Sequence, residues 1–121
     1  MAAYSFTSKP VSEALLSAKR RGVHIRVIAD MESNKKYTAI NYINNRGINT
    51  RTNSKYKSMH NKFLIIDNQS IQTGSYNYSA AANTKNAENV VYIKNDNKLA
   101  SKYTSEFDRL WGESSPLNLN H

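Results

Sequence analysis

The chain has 121 residues, of which 39% are hydrophobic and 21% charged, a composition typical of a folded protein with a real core. Lysine and arginine outnumber aspartate and glutamate by 17 to 9, and the resulting formal charge of +8 favours a polyanionic partner, either nucleic acid or an anionic membrane surface. The absence of cysteine excludes disulfides, zinc–thiolate sites and a cysteine nucleophile, and no apolar run approaches the roughly 18 residues of a membrane span. We expect one domain over residues 1–112, followed by a frayed tail over 113–121.

The first half of the chain predicts strands that alternate with helices. Residues 1–7 have neither the charged start nor the apolar core of a secretory signal peptide, and their aromatic and β-branched content indicates a strand. Ser8 can cap a helix because its hydroxyl accepts from the first turn, and Gly22 suits the left-handed cap at its end. The predicted elements are a strand over 2–7, a helix between Ser8 and Gly22, a strand over 23–29 that Asp30 closes, a helix over 36–46 and a strand near 48–51.

The second half contains the clearest strand. Residues 63–66 (Phe-Leu-Ile-Ile) are apolar at every position, which indicates a strand buried on both faces. The alternation of strands and helices predicts an α/β fold with a mixed, largely parallel sheet flanked by helices. The predicted elements of this half are a polar loop over 52–58, strands over 63–66 and 70–73 joined by a turn, a short helix over 78–87, a strand over 89–94 and a closing helix capped by Asp96.

Polar side chains converge at the ends of two of these strands. His60 and Lys62 are two residues apart at the start of a strand, so their side chains point to the same side. Ser75 and Asn77 repeat this spacing after the returning strand, beside Gly74, whose missing side chain would let a ligand approach the backbone. The set suits a phosphate, because the lysine supplies charge, the hydroxyl and amide supply directional donors, and the imidazole can attack phosphorus.

Asp67 faces away from this group in a continuous strand, since it stands seven residues after His60. We interpret it as a residue that fixes the turn through bonds to the backbone or to basic side chains. No carboxylate cluster is positioned to hold a metal, so we expect no metal and no other cofactor.

The pattern His-x-Lys-x(4)-Asp-x(6)-Gly-Ser-x-Asn, which runs from His60 to Asn77, resembles the signature of the phospholipase D superfamily. Residues 1–7, 18–23 and 74–91 are similar to segments of the small, single-motif bacterial endonucleases of the Nuc type. The family usually carries another strand and helix ahead of the segment that begins here at Met1. The resemblance therefore implies an N-terminally truncated sheet with an exposed edge.

The resemblance implies a phosphodiesterase that works without a metal through a phosphohistidine intermediate. It assigns catalytic roles to the residues that match the signature. It also assigns to Glu88 the role of the family's glutamate that contacts the nucleophilic histidine. The implied catalytic set is His60, Lys62, Asp67, Ser75, Asn77 and Glu88.

The count of histidines bears on how such a site is completed. Family members build one active site from two motifs, in which one histidine attacks and the other gives its proton to the leaving oxygen. This chain has His24, His60 and His121, and neither His24 nor His121 lies in a second copy of the motif. We therefore expect a twofold homodimer that brings two copies of His60 together.

The substrate can be inferred from charge and resemblance together. Lys55, Tyr56 and Lys57 form a basic loop with an aromatic ring that can grip nucleic acid by charge and stacking, although such a loop is also common as a solvated surface. We expect cleavage of DNA, with RNA as a further substrate. Two alternatives stay open, a phospholipase D acting on phospholipids and an inactive fragment that binds nucleic acid.

Overall fold

The computed structural model describes residues 1–34, 39–74, 78 and 89–117. Its strands are β1 (Ala2–Ala3), β2 (Arg26–Asp30), β3 (Asn49–Asn53), β4 (Phe63–Ile66), β5 (Ser70–Gly74), β6 (Val90–Ile93) and β7 (Ser115–Pro116). Its α-helices are α1 (Lys9–Arg20), α2 (Ala39–Asn45) and α3 (Asn97–Gly112), and a 3₁₀ turn spans Glu32–Asn34. Within this described part of the chain, no helix has the length and hydrophobicity to cross a bilayer.

The strands form one mixed sheet in the order β6-β5-β4-β1-β2-β3-β7. The α/β fold with a mixed sheet flanked by helices is thereby confirmed. The expectation that the sheet is largely parallel is wrong, because β2 pairs in parallel with β1 and β3 while the other four pairings are antiparallel. The β4–β5 connection explains much of this difference. It spans only residues 67–69, with Asp67 and Asn68 at φ 54° and 55°, and so short a turn can join only antiparallel neighbours.

Apolar side chains cover both faces of the central strands. Val27 and Ala29 of β2 pack into a core with α1 and α2, whereas Ile28 between them packs into a second core with α3. This alternation follows from the two-residue period of a strand. The result is three layers, with helices on each side of the sheet.

Side-chain caps position two of the helices as the sequence predicts. The Ser8 hydroxyl accepts from the backbone N–H of Val11 at 3.4 Å, and the Asp96 carboxylate accepts from Leu99 at 3.0 Å. The predicted helix over 36–46 is described from Ala39 to Asn45. The predicted helix over 78–87 lies outside the described residues, apart from Tyr78.

The chain continues from α3 into the sheet in the part of the tail that the structure describes, while the expected fraying of residues 113–121 stays a prediction. Ser115 pairs with Thr52 and Pro116 with Arg51, so β7 forms the edge of the sheet beside β3. The Ser114 hydroxyl links this segment to α3 and β3, because it donates to Leu110 O at 2.7 Å and accepts from the Asn53 amide at 3.1 Å. Two residues, one of them proline, carry too weak a strand signal to be recognised in the sequence.

Candidate active site

His60 and Lys62 meet immediately before β4. The Lys62 ammonium lies 2.7 Å from Nδ1 of His60 and donates to the His60 carbonyl oxygen at 2.9 Å. Lys62 is only 8% exposed, whereas the imidazole is exposed. The predicted convergence of these two side chains is therefore present, with a nearly buried cation beside an accessible imidazole.

Tyr4 forms the wall behind this pair. Its ring centroid lies 4.4 Å from that of His60, at an interplanar angle of 42°, and 5.5 Å from the Lys62 ammonium. The Tyr4 carbonyl accepts from the Ser33 hydroxyl at 2.9 Å and from the Asn34 amide at 2.6 Å, which fixes the backbone that carries the ring. The imidazole consequently packs against a fixed aromatic surface. Sequence reasoning did not identify Tyr4.

Asp30 anchors the backbone that leads into His60. This carboxylate is 2% exposed, and its Oδ1 accepts from the backbone N–H of Met59 at 2.8 Å. Its Oδ2 accepts from the Ser33 N–H at 3.1 Å and from the Ser33 hydroxyl at 2.9 Å. One buried carboxylate thus joins the end of β2 to the residue before the histidine. The sequence placed Asp30 at the end of a strand but indicated no link to position 60.

Gly74 ends β5 in a backbone conformation that favours glycine, with φ +144°. A Cβ atom at this position would lie 2.1 Å from the carbonyl oxygen of Asn89. Close packing against the residue before β6 therefore requires the glycine. Gly74 also lines a cavity beside His60, and its contribution to ligand approach stays a prediction.

The structure separates Asp67 from the candidate site. Asp67 lies in the β4–β5 turn, beyond the end of β4 opposite to His60, and lines a different cavity with His24 and Arg26. Within the described part of the chain its carboxylate has no hydrogen bond or ion pair, so the expected turn-fixing bonds are not found there. Three further predicted site residues, Ser75, Asn77 and Glu88, lie outside the described residues.

The predicted basic loop contacts the end of α3. The Lys55 ammonium lies 2.9 Å from a Glu113 carboxylate oxygen, and the Tyr56 hydroxyl donates to the same carboxylate at 2.9 Å. Arg109 donates to the Tyr56 hydroxyl at 2.8 Å and also bonds to Glu113. Lys55 and then Tyr56 hold the pKa of the Glu113 carboxyl below its usual value, because both donate to its charged form.

Only part of the basic loop therefore reaches the candidate site. Tyr56 lines a cavity beside His60, while Lys55 is engaged in an ion pair and Lys57 is simply exposed.

Two cavities share His60 and Asn61 in their linings. One has a volume of about 400 Å³ and includes Tyr56, Ser58 and Arg109. The other has a volume of about 430 Å³ and includes Lys62, Thr73, Gly74 and Lys102. The described residues include no group of three or more histidine or acidic side chains able to hold a metal ion. What these cavities offer around the imidazole is a set of cations, hydroxyls and an amide, the donors that a phosphate diester requires.

A family model described as "Cardiolipin synthase, PLD-like domain" matches residues 1–111. The chain belongs to the phospholipase D superfamily. This match confirms the family that the His60–Asn77 pattern predicts. Superfamily members act on phosphodiester bonds. The fold agrees, since the crystal structure of Nuc from Salmonella typhimurium, described as a phospholipase D family member, matches with a TM-score of 0.95 and 40% identity, over 98% of this chain and 80% of that one.

Two curated members of the superfamily show the range of names among its relatives. A protein named phospholipase D from Rickettsia felis is 36% identical over 104 residues, which are 85% of this chain and 52% of the relative. A protein named mitochondrial cardiolipin hydrolase from Xenopus laevis is 34% identical over 122 residues, covering 97% of this chain and 56% of the relative. The chain spans about half the length of these relatives.

Proposed function

We propose that this chain is a metal-independent endonuclease that hydrolyses phosphodiester bonds in DNA, with His60 as the nucleophile. The observation that carries the proposal is the His60–Lys62 pair, in which an accessible imidazole lies 2.7 Å from a nearly buried ammonium, and two cavities adjoin the imidazole. A shielded cation stabilises negative charge on the phosphoryl oxygens more strongly than a solvated one does.

The reaction proceeds in two displacements. His60 attacks phosphorus through a ring nitrogen, a P–N bond forms, and the P–O bond to the leaving strand breaks as that oxygen takes a proton from His60 of a second copy. Water then attacks phosphorus and gives a proton back to the second imidazole, and the P–N bond breaks to release the new phosphate end. Dividing the reaction in this way replaces one difficult step by two easier ones.

The contact between Lys62 and His60 bears on which ring nitrogen attacks. An ammonium only donates, so Nδ1 of His60 accepts in this arrangement. A bound phosphate competes for the ammonium and frees Nδ1 to donate to a carboxylate, for which the proposal assigns Glu88. Nε2 then carries the free lone pair and attacks. Ser75 and Asn77 act in the proposal as further donors to the phosphoryl oxygens, whereas Asp67 has no part in the chemistry.

Nucleic acid is the proposed substrate because the chain carries a formal charge of +8 and resembles the Nuc-type endonucleases. RNA is a further candidate within the same chemistry. A phospholipid is the second candidate, and it is favoured by the names of the curated relatives, phospholipase D and cardiolipin hydrolase.

The proposal is tested by incubating the chain with plasmid in excess EDTA and, in parallel, with phosphatidylcholine or cardiolipin vesicles. We expect the plasmid to be cut at an undiminished rate, and a DNA strand joined through its phosphate to His60 to be recovered after rapid acid-free quenching. His60→Ala should abolish both. His24→Ala is the matched control, because His24 is exposed and lines a cavity at the opposite end of the sheet.

Three results would contradict the proposal in different ways. Loss of cleavage in EDTA would exclude metal-independent chemistry. Hydrolysis of vesicles without cleavage of DNA would support the phospholipase alternative. Salt-sensitive binding of DNA without cleavage would indicate an inactive binding fragment.

A further inference from the structure

A groove runs along α3 and passes His60. The two cavities beside the imidazole share His60 and Asn61, so they adjoin at these residues, and together they are called the groove, with each cavity as one arm. Helix α3 forms one wall of both arms, with side chains spaced three or four residues apart on one face of the helix. These side chains are Leu99, Lys102, Tyr103 and Glu106 in the first arm and Arg109 and Leu110 in the second.

The first arm carries the charge that suits a phosphate. Lys102 is exposed and lines this arm together with Lys62. Within the described part of the chain, Lys102 forms no ion pair. Its ammonium is therefore available to a ligand, on the side of His60 where β5 ends.

The second arm offers an aromatic face rather than net charge. Arg109 is bonded to Glu106 and Glu113, so two carboxylates offset its charge. The same network fixes the ring of Tyr56, whose hydroxyl accepts from Arg109 and donates to Glu113 while 37% of the residue stays exposed. A fixed, exposed ring is a platform on which an unstacked base can lie.

We propose that this groove binds a single nucleic-acid strand across the site, with a backbone phosphate on Lys102 at one side of the scissile bond and a base stacked on Tyr56 at the other. The inference rests on the proposed function and deepens it, because it identifies the substrate as single-stranded and polymeric. Residues 102 and 109 are separated by about 10 Å along the helix axis, so the two contacts fall at different points of one bound strand.

The lining of the groove argues against a lipid occupant. Acyl chains need exposed apolar surface, but Met59 and Leu110 in the second arm are each 1% exposed, and Phe63 in the first arm is 2% exposed. The exposed lining residues are Tyr56, Ser58, His60, Asn61, Gly74, Lys102 and Arg109, whereas Leu99 and Tyr103 are only partly exposed.

The charged arm is tested with Lys102→Gln against the matched control Lys98→Gln, which removes an exposed lysine from the same helix, one turn away and outside both cavities. We expect Lys102→Gln to raise KM for a single-stranded oligonucleotide by about three- to tenfold. The slope of log binding constant against log salt should become shallower by about 0.7. Hydrolysis of bis(p-nitrophenyl) phosphate, which has one phosphorus and no neighbouring phosphate, should fall by a smaller factor than cleavage of the oligonucleotide, and Lys98→Gln should match the wild type in every assay.

The aromatic arm is tested by comparing Tyr56→Leu with Tyr56→Phe. The leucine variant should lose at least about fivefold in affinity for the oligonucleotide, because it removes the stacking surface. The phenylalanine variant keeps the ring and should retain most of the affinity. Single-stranded oligonucleotides should bind more tightly than duplexes of the same length.

The inference is overturned if Lys102→Gln and Lys98→Gln bind the oligonucleotide equally well, if Lys102→Gln loses activity on the small diester in parallel, or if duplex is preferred. Hydrolysis of vesicles without oligonucleotide binding would also overturn it. A wild-type chain that hydrolyses no diester contradicts the proposed function alone, because equilibrium binding by the two lysine variants still decides the role of the groove.

Discussion

The surroundings of Lys62 suit its ammonium to stabilise the negative charge of the transition state. Its ammonium is nearly buried, and its contacts include the His60 carbonyl, Nδ1 of His60 and the face of Tyr4. Shielding a cation from water is unfavourable unless such groups stabilise it, and the same shielding strengthens its attraction for a phosphate. Arginine would not substitute well, because its planar fork does not fit where a compact ammonium contacts both a ring nitrogen and the backbone.

Asp30 does not contact His60, but it holds the backbone that leads into this residue. Asp30→Asn should lower kcat for bis(p-nitrophenyl) phosphate by about tenfold or more, because the amide has one accepting oxygen where the carboxylate has two. It cannot accept from Met59 and Ser33 together, so the backbone before His60 shifts. KM should stay within about twofold, since Lys62 still binds the phosphate. Stopped-time assays at several substrate concentrations separate the two constants.

The control for this variant is Asp108→Asn, which removes an exposed carboxylate that pairs with Arg26 on the surface. It should leave both constants unchanged. If Asp30→Asn raised KM and left kcat intact, Asp30 would not position the nucleophile.

Helix α3 forms one wall of the groove, so its stability bears on the site. Asp96→Ala removes the carboxylate that accepts from Leu99 and should lower the free energy of unfolding by about 1 kcal/mol. For a chain of this length that corresponds to a fall of about 3–5 °C in Tm, measured by circular dichroism or calorimetry.

Ser105→Ala, an exposed change in the middle of the same helix, is the matched control and should leave Tm unchanged or slightly higher. An Asp96→Ala protein as stable as the wild type would show that this cap does not contribute measurably to the stability of the fold.

Local signals account for the elements that the sequence predicts well. The helices were recognisable because Ser8 and Asp96 are cap residues followed by apolar side chains at helical spacing. The direction in which strands pair is not a local property, because β4 lies beside β1 through contacts between residues about sixty apart in the chain, such as Ala2 and Phe63. For the same reason the sheet was expected to be more parallel than it is.

The candidate site was predictable to the extent that spacing along one strand determines it. His60 and Lys62 meet because they are two residues apart. Asp30, Tyr4 and Lys102 come from three distant parts of the chain, and no pattern in a single sequence connects them to position 60. Asp67 matched the family pattern and yet lies at the far end of β4, since membership of a pattern does not specify a distance.

The position of His60 relative to the exposed sheet edge limits how two copies of the chain could share a site. Val90, Val91 and Tyr92 of the edge strand β6 are about half exposed, and such an edge can pair with another chain. A symmetric β6–β6 ladder, however, would be antiparallel and would put the two His60 residues at opposite ends of the joined sheet. The two β4 strands would also be five strand spacings, or roughly 24 Å, apart. The proposed shared site therefore requires a contact that brings the His60 ends of the two copies together, which pairing through this edge does not do.

The shared site predicts how activity responds to mixing chains. Wild-type protein is unfolded and refolded together with an equal amount of His60→Ala, and cleavage is compared with the same amount of wild type refolded alone. If each site needs one imidazole from each copy, random pairing leaves only dimers of two wild-type chains active, so activity should fall to about half. Mixing with His24→Ala should restore full activity per chain, because its His60 is intact. An unchanged rate in the His60→Ala mixture, or an active species that sediments as a monomer, would mean that one copy of His60 is sufficient and that the leaving oxygen takes its proton from another donor.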